Sequence, residues 1–159
     1  MTSPVAVLLP DVSAPLTAPF WQAARKRRFI MQRCAGCGEL RWPPKPLCPA
    51  CLRPAALEDW QDIARTGQIW SFCVYRRAFH PSFADRIPYN VAYIKLDAGP
   101  MFISNVVDTN ELAIGRAVEA RFDDVTPDVT LIRFQLLPIR EPRHPVLPGT
   151  AARESSDAR

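Results

Sequence analysis

The sequence predicts an α+β chain, mainly β, with one short helix, a cysteine-rich ribbon, a five-stranded barrel and a disordered C-terminal tail. Three observations support this prediction. Four of the five cysteines form two CxxC pairs, and 17 prolines against six glycines disfavour long helices. After Gly67, runs of β-forming residues alternate with turn residues. A length of 159 residues accommodates one compact domain and a small module.

The segment 1–32 is predicted to be an arm followed by a helix. Prolines interrupt residues 1–19, so this stretch has no regular period. Thr17 is a suitable N-cap, and Pro19 suits the first turn of an amphipathic helix over residues 20–28. The basic residues at its C-terminal end complement the helix dipole. A short strand is then expected over residues 29–32.

The segment 33–54 is predicted to be a metal-binding ribbon. Cys34 and Cys37 form one CxxC pair, and Cys48 and Cys51 form the second. Four thiolates complete a tetrahedral site and leave no position for water, so the metal is expected to be structural. Zinc is the usual metal for such a site, and iron is the alternative. Two reducible disulfides, or unrelated buried thiols, are the competing interpretation.

The residues that follow the two pairs differ in backbone freedom. Gly38 can adopt the conformation that points amide N–H groups at the sulfurs, whereas Leu52 makes the second turn less favourable. The fifth cysteine, Cys73, falls in the middle of a predicted strand and is expected to be a buried core thiol. This cysteine usage suits a reducing cytoplasm better than an oxidising compartment.

The segment 55–140 is predicted to form a barrel of the OB type. Residues 54–66 are interpreted as a connector. Five strands are expected over 68–75, 89–96, 101–107, 115–122 and 130–137, with a short helical turn at 110–114. Five strands with a helical turn between the third and fourth are typical of a small closed Greek-key barrel. The segment 141–159, rich in proline, arginine and small polar residues, is expected to be a flexible tail.

The first barrel strand has two apolar faces. Alternation places Trp70 and Phe72 on one face and Ile69 and Cys73 on the other. A barrel buries only one face inside, so the outer face must be covered by other groups. The N-terminal helix is expected to cover part of it, and a second protein the remainder. A wrapped tail is the alternative cover.

Charge and hydropathy restrict the classes of partner. The net charge of +4 is a mild basic excess, weaker than that of dedicated nucleic-acid-binding domains. Single-strand binding needs cations among exposed aromatic residues, and the central strands carry only Lys95. OB barrels and zinc ribbons nevertheless both occur in nucleic-acid-binding proteins, so single-stranded nucleic-acid binding is kept as the alternative function. No apolar run approaches ~20 residues, so no membrane span is expected. The N-terminus lacks the basic start of a signal peptide, and a cytoplasmic location is expected.

These motifs resemble those of one known family. The ribbon is similar in residues 33–38 (RCAGCG), 42–44 (WPP) and 48–51 (CPAC), and the barrel in 67–72 (GQIWSF), 80–81 (HP) and 88–89 (PY). The family is that of the bacterial and archaeal zinc-ribbon OB-fold proteins known as domain of unknown function thirty-five. The resemblance covers residues 17–139 and implies a rubredoxin-like zinc ribbon followed by an OB-fold.

The resemblance also implies a non-catalytic accessory subunit. Family members are typically encoded beside thiolase-superfamily proteins and form hetero-oligomers with them. The partner is a thiolase, a hydroxymethylglutaryl-CoA-type synthase, an acyltransferase or an aldolase that shortens steroid side chains. In such complexes the small subunit stabilises the enzyme and helps to hold the acyl-CoA. The acyl group and the reaction then belong to the partner.

Two basic clusters are candidates for contacting the phosphates of acyl-CoA through charge-assisted hydrogen bonds. The first contains Arg25, Lys26, Arg27 and Arg28, and the second contains Arg76, Arg77 and Arg86. The alternative for the first cluster is a solvated helix end.

His80 is the one weak candidate for a catalytic role. A catalytic histidine needs an acid and a nucleophile near it, and only Asp85 is close in sequence. His80 is therefore expected to cap a loop or to face the partner, and no catalytic residue is assigned.

Overall fold

The computed structural model describes residues 8–107 and 111–139. The helix and strands are α1 (Ala18–Arg25), β1 (Ile30–Arg33), β2 (Leu40–Arg41), β3 (Trp60–Asp62), β4 (Thr66–Tyr75), β5 (Tyr89–Leu96), β6 (Met101–Ser104), β7 (Ala117–Asp124) and β8 (Thr130–Leu136). Two 3-10 helices, Leu57–Asp59 and Pro81–Arg86, lie in the connections. The tail predicted at 141–159 falls outside the described residues. Within the described ranges, no helix combines the length and hydropathy needed to cross a bilayer.

The ribbon is built on a three-stranded antiparallel sheet in the order β2-β1-β3. Gln32 in its central strand lies opposite Arg41 on one side and Trp60 on the other. The stretch 54–66, interpreted from the sequence as a connector, contains β3, which the sequence interpretation missed. Residues on both sides of 33–54 therefore contribute to the sheet. The domain boundaries at 33–54 and 55–140 stay predictions.

The second sheet has five antiparallel strands in the order β6-β5-β4-β7-β8 and curls on itself. The two edges approach where Val106 forms a parallel bridge with Phe134. The Val107 N–H donates to the Phe134 carbonyl at 2.8 Å, and the Phe134 N–H donates to the Asn105 carbonyl at 2.9 Å. The sheet is therefore a five-stranded barrel of the predicted OB type, but it is partly open where a closed barrel was expected.

Several element boundaries differ from the predicted ones. The helix ends at Arg25 because Arg27 turns into the left-handed region, with a φ of 59°. Strand β7 begins two residues late because Gly115 occupies a turn with a φ of 84°. No helix is present at 111–114 in the described part of the chain, and Asn110 lies outside it. The helical segment of the barrel connections lies instead between β4 and β5.

The face assignment for β4 was wrong because the strand contains a β-bulge. The register with β5 shifts between Ile69 and Ser71, which leaves Trp70 as an extra residue. Ile69 and Phe72 consequently both pack against the core, whereas Trp70 is exposed. Cys73 is also exposed, so the expectation of a core thiol was wrong as well.

One aromatic core joins the helix, the ribbon and the barrel. Phe20 of α1 contacts Trp42 of the ribbon at 4.4 Å and Phe102 of β6 at 6.1 Å, measured between ring centroids. Phe102 also contacts Phe29 at 5.2 Å and Phe134 at 6.1 Å. The helix thus packs into the open side of the barrel, mainly against β8. On the outer face that β4, β5 and β6 share, Trp70, Tyr93 and Ile103 stay exposed.

Candidate metal centre and binding surfaces

The four cysteine sulfurs of the ribbon are close enough to bind one ion. All lie within 4.8 Å of one another. The Sγ atoms of Cys34 and Cys51 are 3.5 Å apart, and those of Cys37 and Cys48 are 3.6 Å apart. Tetrahedral zinc with bonds of about 2.3 Å requires sulfurs about 3.8 Å apart, whereas a disulfide requires about 2 Å. The geometry therefore fits a single structural metal rather than two disulfides.

The two CxxC turns have the same backbone hydrogen bonds. The Gly38 N–H donates to the Cys34 carbonyl at 2.8 Å, and the Leu52 N–H donates to the Cys48 carbonyl at 2.8 Å. Both closing residues have positive φ, 75° for Gly38 and 61° for Leu52. Leu52 thus holds the conformation that glycine adopts without strain, as its place in the sequence indicated.

Amide groups of the turns stabilise the thiolate form of the buried cysteines. The backbone N–H of Cys37, and secondarily that of Gly36, lower the pKa of Cys34 to about 6. The backbone N–H of Cys51 lowers the pKa of Cys48 in the same way. Cysteines in this state are ready ligands, because the thiolate is the species that binds metal.

A buried carboxylate connects the ribbon to its arginines. Arg53 donates to both carboxylate oxygens of Asp59, at 3.0 and 3.2 Å. The Asp59 carboxylate also lies 3.6 Å from the guanidinium of Arg41, a residue that is only 5% exposed. Burial disfavours the charged form of Asp59, but the Ala56 N–H and Arg53 outweigh it and hold its pKa below the usual value. No motif in the sequence marked this residue, because it lies in the stretch interpreted as a connector.

Arg53 also passes over the metal-binding turn. A Cβ atom at Gly36 would lie 3.2 Å from Arg53 Cδ and 3.7 Å from the sulfur of Cys34. Glycine at this position therefore lets a guanidinium stem lie beside the thiolates. A four-thiolate zinc site carries a net negative charge, and the arginine offsets part of it.

Exchanging the residues that close the turns should change metal retention in opposite directions. Leu52→Gly should slow the loss of zinc to a chelator, because it removes left-handed strain of about 1 kcal/mol. Gly38→Leu should speed the loss of zinc to a similar extent, because it introduces the same left-handed strain at the first turn. The space at Gly38 is open, with no atom within 4 Å of the position that a Cβ would occupy, so only the backbone opposes a side chain there. Equal effects of the same sign would contradict this account.

The first basic cluster is engaged in ion pairs. Arg27 donates two hydrogen bonds to Asp124, which lowers the pKa of that carboxyl to about 2. Arg28 pairs with Asp62 at 2.5 Å. Arg25 lies 3.7 Å from a carboxylate oxygen of Asp128, and Lys26 is exposed beside them. A phosphate would compete with three aspartates here, and the role of Arg25, Lys26, Arg27 and Arg28 in binding acyl-CoA stays a prediction.

The second cluster lies in the loop between β4 and β5. Arg76 and Arg77 are exposed directly after β4. His80 caps the 3-10 helix that follows: its Nδ1 accepts from the Ser82 N–H at 3.2 Å and shares a hydrogen bond of 2.8 Å with the Ser82 hydroxyl. The expected loop cap is therefore present. A contact of Arg76 or Arg77 with acyl-CoA stays a prediction.

The outer face of the barrel carries large exposed apolar side chains. Trp70 at the bulge is 58% exposed, and Ile103 on β6 is 63% exposed. Tyr93 on β5 lies directly opposite Ile103 and is 41% exposed. We call these three residues, Trp70, Tyr93 and Ile103, the outer apolar face.

Two family descriptions match consecutive parts of the chain. The ChsH2 rubredoxin-like zinc ribbon domain matches residues 21–58. The ChsH2 C-terminal OB-fold domain matches residues 60–123. These spans agree with the ribbon and with most of the barrel.

Relatives carry the same combination. A scaffold protein with a DUF35 domain from Methanothermobacter thermautotrophicus is 33% identical over 113 residues, which cover 65% of this chain and 84% of that protein. A probable enoyl-CoA hydratase alpha subunit from Thermomonospora curvata is 37% identical over 121 residues. The match covers 73% of this chain but 36% of the hydratase subunit, so the chain spans about a third of that relative's length.

Solved structures share the fold. A chain of the Ltp2-ChsH2(DUF35) aldolase superposes with a TM-score of 0.69 at 34% identity, covering 80% of this chain and 98% of the other. A DUF35-family protein from Sulfolobus solfataricus superposes with a TM-score of 0.55 at 15% identity, covering 79% of this chain and 88% of that one. The second match shows similarity of fold alone.

Proposed function

The chain belongs to the DUF35 family of zinc-ribbon OB-fold proteins, and from this premise we propose that it is a non-catalytic accessory subunit of a thiolase-superfamily enzyme. The partner would be an aldolase, thiolase or acyltransferase that acts on an acyl-CoA. The accessory subunit would stabilise the partner and help to bind its substrate. Degradation of a steroid or lipid side chain is the metabolic setting that the family resemblance implies.

The outer apolar face is the observation that carries this proposal. Trp70 and Ile103 each expose more than half of their surface, and Tyr93 lies beside Ile103. Apolar surface left in water costs roughly 25 cal/mol per Å². Contiguous exposed apolar residues on a folded domain commonly mark an interaction site. A protein surface is the occupant that the aldolase relative favours.

The ribbon and His80 support an accessory role. Four thiolates occupy every position of a tetrahedral zinc ion, so this metal can hold the fold but cannot activate water. His80 uses Nδ1 to cap a helix, which gives the imidazole a structural task. In the proposed complex, the bond-breaking chemistry therefore belongs to the partner.

The names of the relatives favour acyl-CoA chemistry without specifying the reaction. One relative is named as an aldolase assembly and another as part of an enoyl-CoA hydratase. The chain covers about a third of the hydratase subunit, and hydratase activity is accordingly not carried over. Carbon–carbon bond chemistry with the aldolase-type partner is the preferred assignment.

Complex formation should depend on the outer apolar face. Ile103→Asp is expected to weaken association with a co-expressed thiolase-superfamily aldolase at least thirtyfold, since central contacts of an interface are worth ~2 kcal/mol or more. Leu57→Asp is the matched control: it adds the same charge at a leucine that is 79% exposed, in the ribbon. Analytical ultracentrifugation gives the affinities, and circular dichroism verifies the fold of both variants.

Three outcomes would contradict the proposal. The first is turnover of an acyl-CoA by the isolated chain. The second is an aldolase whose stability and activity are the same with and without the chain. The third is sub-micromolar binding of single-stranded nucleic acid by the chain alone, with an affinity that falls steeply with salt, which would favour the alternative function.

A further inference from the structure

A cleft of about 460 Å³ lies outside the barrel seam, where the segment after β6 meets β8. Its walls carry three guanidinium groups and one carboxylate, from Arg86, Arg121, Arg133 and Asp123. The cleft therefore has a net positive lining, although the chain as a whole is only mildly basic. It does not include the residues of the outer apolar face.

Within the part of the chain that the structure describes, two of these arginines are unpaired, in contrast to the basic cluster at the end of α1. Arg133 donates to Asp123 at 2.5 Å and to the Asn105 side chain at 3.0 Å, which satisfies that pair. Arg86 and Arg121 have no ion pair or hydrogen bond with any residue in the described ranges. They are free to receive an anion, whereas Arg27 and Arg28 already hold aspartates.

The register of the sheet places Arg121 next to a second arginine. Arg121 on β7 lies directly opposite Arg133 on β8. Like charges placed opposite each other destabilise a sheet. Asp123 compensates one of the two charges, and the second is left over. An anionic ligand in the cleft would compensate it, because a phosphate accepts hydrogen bonds from two guanidinium groups at once.

One wall of the cleft is aromatic. Phe83 and Tyr89 both line it, and their rings stack with centroids 4.9 Å apart and an interplanar angle of 26°. Tyr75 stacks on the other side of Tyr89 at 5.1 Å. Phe83 lies in the 3-10 helix that His80 caps, so the stack has a defined position. Because Tyr89 is stacked between Tyr75 and Phe83, Phe83 is the ring that can offer a flat surface beside the arginines. Such a surface suits a planar base that bears phosphate groups.

We propose that this cleft binds the nucleotide part of coenzyme A, with phosphate on Arg86 and Arg121 and the base against Phe83. The choice of coenzyme A, rather than another nucleoside phosphate, rests on the proposed function. The site deepens that function because it gives the accessory subunit its own contact with the substrate. Its lining does not include Trp70, Tyr93 or Ile103, so ligand and partner would contact different residues.

Titration of the zinc-loaded full chain with adenosine 3′,5′-bisphosphate tests the site. We expect saturable binding with one ligand per chain, and at least tenfold weaker binding of adenosine, which lacks phosphate. Arg86→Ala and Arg121→Ala should each weaken binding at least tenfold. Lys45→Ala is the matched control, because it removes one exposed cation from the ribbon and should leave the affinity unchanged. Phe83→Ala should weaken binding of the bisphosphate but not of inorganic pyrophosphate.

Two results would overturn the proposal: no binding at millimolar bisphosphate, or an affinity that neither arginine substitution changes. A deoxyadenosine 12-mer bound a hundredfold more tightly than the bisphosphate would assign the cleft to nucleic acid and also overturn it. Circular dichroism of both arginine variants confirms that they are folded. Association with the aldolase should survive Arg121→Ala, so failure of this site and failure of the proposed complex are distinguishable.

Discussion

Replacing Cys48 with serine is expected to remove the metal and to unfold the ribbon. Cys48 is fully buried, and its sulfur lies 3.6 Å from that of Cys37, so no solvent-exposed group can take its place. Structural zinc supplies on the order of 10 kcal/mol of folding free energy in small modules, which is comparable to the whole stability of a typical domain. Elemental analysis should show one zinc per wild-type chain and less than a tenth of that in the variant.

Cys73→Ser is the control for this experiment. Cys73 is exposed on β4 and is not one of the four clustered cysteines. Its replacement should keep one zinc per chain and change the thermal midpoint by no more than a few degrees. A wild-type protein that is folded with less than half an equivalent of any metal would show that the four sulfurs do not serve as ligands. Iron in place of zinc would keep the structural role and correct the metal.

Replacing Asp59 with asparagine should produce the second-largest loss of stability. The change leaves the buried guanidinium of Arg41 without a counter-charge and removes the partner of Arg53. Breaking a buried ion pair by deleting one member typically costs about 3–5 kcal/mol. Urea unfolding of the zinc-loaded protein, followed by fluorescence, should show a lower midpoint with little change in slope.

Asp62→Asn provides a matched comparison, because Asp62 forms the same kind of pair with Arg28 at the surface. The side chains of Asp62 and Arg28 are both more than half exposed, and such pairs contribute about 0–1 kcal/mol. A similar loss for both variants would mean that burial does not determine the contribution of Asp59. If neither substitution lowered the urea midpoint, the stabilising role of Asp59 would be contradicted.

Lowering the pH should remove the stabilisation that ionised Asp59 gives to the folded protein. Its pKa is lower in the folded protein than its ordinary value of 3.8. The stabilisation is therefore complete above the unfolded pKa and is lost as the pH falls through the folded one. The wild-type protein should consequently lose more stability than Asp59→Asn between about pH 5 and pH 3.

The sequence predicted the features that depend on local spacing. The CxxC pairs bring their own sulfurs together within a tight turn, and the strands of the barrel follow from runs of β-forming residues. The features that it missed depend on distant partners. Strand β3 has three residues and acquires its role by pairing with β1, which lies about thirty residues earlier. The bulge at Trp70 reversed the alternation that the face assignment assumed.

For the charged residues too, the sequence shows the residues themselves but not their distant partners. The basic run from Arg25 to Arg28 is conspicuous in the sequence, but its partners are distant. The partner of Arg28 lies 34 residues away along the chain, and that of Arg27 lies 97 residues away. Arg121 attracts no notice in the sequence because an acidic pair follows it. Only the register of β7 with β8 places it opposite Arg133 and leaves its charge uncompensated.

The contact between Trp42 and Phe20 makes the barrel depend on the metal of the ribbon. Trp42 lies between the two CxxC pairs, and its ring packs on Phe20 and also on Phe102, the latter at 5.0 Å. A ribbon without metal is not expected to hold Trp42 in place, so α1 would lose the contact between Phe20 and Trp42. Loss of zinc should therefore loosen the barrel as well as the ribbon, because Phe102 of β6 would lose its contact with Trp42.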